Sequence, residues 1–178
     1  MTDARMGEVL WTALGRLPRG AGIVFRHYGL PDRRAIYERV RRIARARGLV
    51  LVLAGSPREA VAWKADGAHG RSPHRFAARP LLRTAPAHDA VEQAAAARHG
   101  ADLVFLSPAF ATRSHPGARA LGPVRFGLLA GRDRLPVIAL GGMDAPRYRR
   151  LRALGASGWA GIDAFTGPDS QGIGAAKG

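Results

Sequence analysis

The chain has 178 residues, 47% of them hydrophobic, which is enough for one domain with a real core. Its net charge is +15 and it has no cysteine, so disulfides, thiolate nucleophiles and cysteine-ligated zinc or iron–sulfur centres are excluded. No apolar run approaches the roughly 20 residues of a membrane span, and the opening MTDARMGEVLW lacks the apolar core of a signal peptide. A cytoplasmic protein with no membrane partner is expected.

In chain order, a helix is predicted near 6–17, before the first full strand, GIVFRH (22–27). The next helix spans 31–47 and keeps Ile36, Val40 and Ile43 on one stripe surrounded by arginines. Strands LVLVLA (49–54) and DGAH (66–69) flank a helix over 56–65. The stretch RSPHRFAARP (71–80) is irregular and takes the place of a helix before strand LLRTA (81–85). A helix over 88–99 leads to DLVFLS (102–107), one over 122–131 to PVIALG (136–141), and one over 144–154 to GWAGID (158–163). Several strands are apolar on both faces, as a parallel sheet covered by helices requires. Ser56 and Asp144 sit where N-caps belong, and Gly48, Gly100 and Gly155 each close a helix with basic residues before them.

This alternation leaves an open doubly wound sheet or a (β/α) barrel. No G-x-G-x-x-G follows the first strand, so a dinucleotide fold has little support. All but two of the 28 basic residues are arginines, and they are spread over nearly every helix. No basic ribbon, zinc-finger spacing or helix-turn-helix accompanies them. They are read as solvated helix faces, with no specific nucleic-acid partner.

The loop LSPAFATRSHPGARALG (106–122) concentrates hydroxyls, an arginine and a histidine beyond a strand end, a candidate anion site. In order and spacing this loop resembles the G-P-x-F-x-T-x-T-K segment of the thiamine phosphate synthase / TenI superfamily. KADGAHG resembles that family's A-D-G-V-H-L segment, and IVFRHYG its Q-L-R-E-K strand. LPVIALGGMDAPRYRRLRALGASGWAGIDAF resembles its P-[VI]-x-A-I-G-G-[IM] strand, the following helix and the last strand. MTDAR resembles the end of its first strand. The resemblance covers about 1–166 and leaves 167–178 as a glycine-rich tail.

The resemblance implies a compact (β/α)8 TIM barrel. Its first strand would be truncated, its last helix weak or missing, and an edge would remain that a neighbouring subunit of a homo-oligomer could cover. It also implies a small phosphorylated substrate at the strand C-terminal mouth. Synthases of the family join a pyrimidine pyrophosphate to a thiazole phosphate with magnesium, and the TenI branch includes a thiazole tautomerase.

Gly141 and Gly142 are expected to bring backbone amides close to a phosphate, or to form only a tight turn. Thr112, Arg113, Ser114 and Arg26 are expected as anion donors, with pairing to Asp3 or Glu8 the alternative for Arg26. The family's serine that receives thiazole phosphate falls on Asp163, where a carboxylate repels phosphate unless protonated or paired.

The asparagine–aspartate pair that helps hold pyrophosphate and magnesium falls on Ala54 and Gly55, and no carboxylate follows His69. Two ligand positions for Mg2+ are therefore gone. The tautomerase histidine falls on Pro108 and the family's closing lysine on His115. His115 is the expected proton-transfer residue, with His69 and His88 nearby at the mouth. Three readings follow: a thiamine-biosynthesis enzyme, a non-catalytic or repurposed ligand-binding barrel, and a tautomerase with a different proton carrier.

Overall fold

A computed structural model describes residues 1–74, 80–112, 117–131 and 135–165. Seven parallel strands form one sheet in sequential order: β1 (Gly22–Phe25), β2 (Val50–Ala54), β3 (Gly67–His69), β4 (Leu82–Ala87), β5 (Leu103–Leu106), β6 (Val137–Leu140) and β7 (Ala156–Ala160). The helices are α1 (Val9–Arg16), α2 (Arg33–Arg47), α3 (Pro57–Ala62), α4 (Ala90–Arg98), α5 (Gly122–Ala130) and α6 (Ala145–Arg152). No helix joins β3 to β4 among the described residues. Those of the 71–80 connector that are described carry no regular structure, and 75–79 lie outside them. The tail 167–178 also lies outside the described residues. Before it, Asp163–Phe165 form a single 3₁₀ turn.

The strands curl into a barrel because alternate residues face different layers. Val24, Val52, Ala54 and Phe105 fill the interior. Ile23, Phe25, Leu51 and Leu53 instead pack outward against the first helices, and Val104, Leu106, Val137 and Ala139 against the last ones. Leu53 and Leu106 are wholly buried, each worth on the order of 2 kcal/mol of transfer free energy.

Between β1 and β7 only the start of the chain intervenes. Thr2 N–H donates to Val24 O at 2.8 Å, and the Met1 amino group to Gly161 O at 3.0 Å. Seven strands make up the sheet, and Met1 and Thr2 bridge β1 to the end of β7.

Ser56 and Asp144 cap α3 and α6 by accepting from the amides of Glu59 and Arg147. The buried line of α2 is Tyr37, Val40 and Ala44, with Ile36 and Ile43 flanking it half-buried. The expected stripe therefore lies to one side of the true contact line, because the large Tyr37 ring packs edge-on against Phe25 and Trp63. Strand β4 runs past its predicted end to Ala87, with Pro86 inside it. Strand β7 starts at Ala156 and stops at Ala160, before the residues that form the terminal turn.

Candidate functional site

Parallel β/α alternation sends every strand out at the same end, so all the loops after the strands meet at one mouth. A cavity of about 210 Å³ opens there, lined by Arg26, His88, Ser107, Pro108, Thr112, Gly141, Gly142, Met143, Gly161 and Ile162, among others. Arg26, His88, Thr112, Gly141 and Gly142, singled out in the sequence, therefore share one wall system. Arg113, Ser114 and His115 lie outside the described residues. Asp163 opens the terminal turn, and its neighbours Ile162 and Ala164 line the cavity.

The glycine pair is held by two loops packed backbone to backbone. Ala109 N–H donates to Leu140 O at 2.7 Å and Phe110 N–H to Gly141 O at 3.0 Å. Gly141 and Gly142 both have positive φ, +94° and +59°. A Cβ on Gly141 would sit 3.0 Å from Pro108, and one on Gly142 would collide with Ala111 O. The tight turn is thus real. Among the described residues neither the Gly141 nor the Gly142 amide donates to a protein acceptor. Two successive unpaired N–H groups next to the α6 N-terminus form a concave donor set for an anion.

Arg26, at the end of β1, supplies the matching charge. Its backbone N–H donates to Thr2 Oγ1 at 3.1 Å, and its guanidinium makes no ion pair among the described residues. The expected alternative partner, Asp3, is bound to Arg5 at 2.8 Å and is held at about 2, first by that side-chain bond.

His69 does not line the cavity. It is buried at the end of β3, its Nδ1 2.8 Å from Thr84 Oγ1 and its ring edge-on to Phe105. Burial, then the Arg26 charge, lowers its pKa to about 4, so it is neutral near pH 7.

His88 is exposed at the mouth, and Asp89 caps the helix after it by accepting from Glu92 N–H. His88 Nδ1 lies 2.7 Å from Ser107 O. A carbonyl only accepts, so Nδ1 carries the proton, and Nε2 of the neutral ring is left as an acceptor. Ser107 adds its Oγ at 3.3 Å. Ser107 was read only as part of the 106–122 loop, and the Gly161–Ile162 segment was not singled out in the sequence. Strand-end position was the available signal for both.

Magnesium does not fit the described residues. The side chains at Ala54 and Gly55 offer no oxygen, and Glu59 Oε2 fills the space a Cβ on Gly55 would take. Among the described residues no group of three or more His, Asp or Glu side chains could hold a metal ion. None of the described helices is long and apolar enough to cross a membrane.

A family model described as thiamine monophosphate synthase matches residues 12–165. The chain is 34% identical over 113 residues to a putative thiamine-phosphate synthase 2 of Aquifex aeolicus, covering 60% of each chain. It is 32% identical over 139 residues to a thiamine-phosphate synthase of Chloroflexus aurantiacus, covering 73% of this chain and 63% of that one. It spans less than two thirds of the length of these curated relatives. Its fold matches a thiamine phosphate pyrophosphorylase from Pyrococcus furiosus with a TM-score of 0.76 at 24% identity, covering 94% of this chain and 86% of that one. A glycerol uptake operon antiterminator regulatory protein from Listeria monocytogenes also matches, with a TM-score of 0.61 at 15% identity and 86% of each chain covered. Function therefore has to be argued from the site, since the barrel alone serves unrelated roles.

Proposed function

The chain belongs to the thiamine monophosphate synthase family, and from that membership we propose that it binds one small phosphorylated heterocycle of the thiazole phosphate class at its barrel mouth. The observation that carries this reading is the convergence of Arg26 with the unpaired amides of Gly141 and Gly142 on one cavity. The phosphate sits on those amides, where the dipole of α6 adds to the attraction. Arg26 faces it from β1 and Thr112 from the loop side, and Arg113 and Ser114 of the same loop are the further proposed donors. The heterocycle then lies toward Ser107 and His88. The α6 end and the terminal turn are the places where barrels of this kind commonly hold phosphate.

For proton transfer, His115 remains the candidate on the loop, and His88 joins it because its Nε2 is left as an acceptor at the mouth. A cytoplasmic role in thiamine biosynthesis follows from this reading.

The second reading is a barrel that binds such a ligand without condensing it. The loss of oxygen ligands at Ala54 and Gly55 favours it. Calorimetric titration with inorganic phosphate and with thiazole phosphate tests the site. Saturable binding of both, weakened about tenfold or more by Arg26→Gln, is expected. Absence of heat with either ligand overturns it. Coupling of the two thiamine precursors by the purified protein would eliminate the non-condensing reading.

A further inference from the structure

The opposite side of the mouth, over the end of β2, is built differently. Arg33, the first residue of α2, reaches across to it. Its Nη2 donates to Ala54 O at 2.8 Å and its Nη1 to Glu59 Oε1 on α3 at 2.6 Å. The guanidinium lies 4.9 Å from the Trp63 ring centroid, 5.8 Å from Tyr28 and 5.9 Å from Phe25. Only 17% of the Arg33 side chain is exposed, and 32% of that of Glu59. Three aromatic rings, a carbonyl and a carboxylate fix the cation in one pose.

The second carboxylate oxygen of Glu59 fills the space a side chain on residue 55 would need. A carboxylate has thus returned to the end of β2 from a different helix, but its charge is spent on Arg33. A divalent cation needs several hard oxygens and an uncompensated negative charge. Here it would meet one carboxylate already bonded to a guanidinium. A diphosphate, in turn, would meet the Glu59 carboxylate and a cation that already donates once through each Nη.

We infer that the Arg33–Glu59 ion pair plugs this half of the mouth, closing it to a magnesium–diphosphate group and leaving a site for a single phosphorylated ligand. This rests on the phosphate reading for the location of that ligand, and on Arg33, Glu59 and Gly55 alone for the plug.

The test uses the wild-type chain. Mn2+ alone, followed by water-proton relaxation, is expected to show no site tighter than about 1 mM. Inorganic diphosphate is expected to bind equally, or equally poorly, with and without Mg2+, within about twofold. A Mn2+ site about tenfold tighter than that limit and lost in Glu59→Gln would overturn the plug. So would a tenfold or larger gain in diphosphate affinity on adding Mg2+. Arg33→Ala, checked for folding by its thermal melt, is expected to release Glu59 and create a weak Mn2+ site that the wild type lacks. If phosphate fails to bind while the Mn2+ result holds, the phosphate reading falls and the plug stands.

Discussion

Gly142 and Ala111 meet backbone to backbone: the carbonyl oxygen of Ala111 occupies the space where a Cβ on Gly142 would be. With φ at +59°, Gly142 is also in the region that side chains disfavour. Gly142→Ala is therefore expected to cost more than about 2 kcal/mol and to abolish phosphate binding. Gly20 provides the comparison, since its φ is +82° but nothing lies within 4 Å of its Cβ position. Gly20→Ala should cost only about 1 kcal/mol and leave phosphate affinity intact. Chemical denaturation with calorimetry separates the two. Equal behaviour of the variants would refute the close-packing account.

His69 links the barrel interior to pH. Its folded pKa, about 4, lies below the ordinary 6.5. As pH falls, the unfolded chain therefore takes up the proton first. The stability tied to neutral His69 is complete above about 6.5 and drains away as pH drops toward about 4, at most roughly 3 kcal/mol in all. An NMR titration of the imidazole should give a midpoint near 4, moving upward in Arg26→Gln, which removes a repelling charge. A midpoint near 6.5 in the wild type would show that the ring is hydrated.

Tyr37 is wholly buried, its hydroxyl has no partner, and burial raises its pKa to about 12. Its ring packs edge-on against Phe25 and Trp63. Tyr37→Phe keeps that packing and removes an unsatisfied donor, so stability should stay level or rise by up to about 1 kcal/mol. A thermal melt decides it, and a loss of more than about 1 kcal/mol would mean the hydroxyl has a role in the fold.

What the sequence made legible was local. The Ser56 and Asp144 caps and the terminal glycines act within a few residues of the helices they bound, so their spacing predicts them. Strand order followed from alternation, because parallel neighbours need a crossover between them. The Arg33–Glu59 pair joins residues 26 apart on two helices, and no periodicity reports such a meeting. The half of the candidate site at Gly141 was visible through its motif. Gly161 was not, because only the curl of the sheet brings that strand end to Arg26.

The joint between β1 and β7 gives the molecule an asymmetry. Every other neighbouring pair of strands is laced along its length, while this joint hangs on the bonds of Met1 and Thr2. Arg26 stands on one side of it, and Gly161 and Gly142 on the other. An anion held by Arg26 and by the Gly142 loop at once would act as a clasp across that joint. A ligand bound there would couple occupancy of the mouth to the pairing of β1 with β7, so that its binding and the integrity of the ring would rise and fall together.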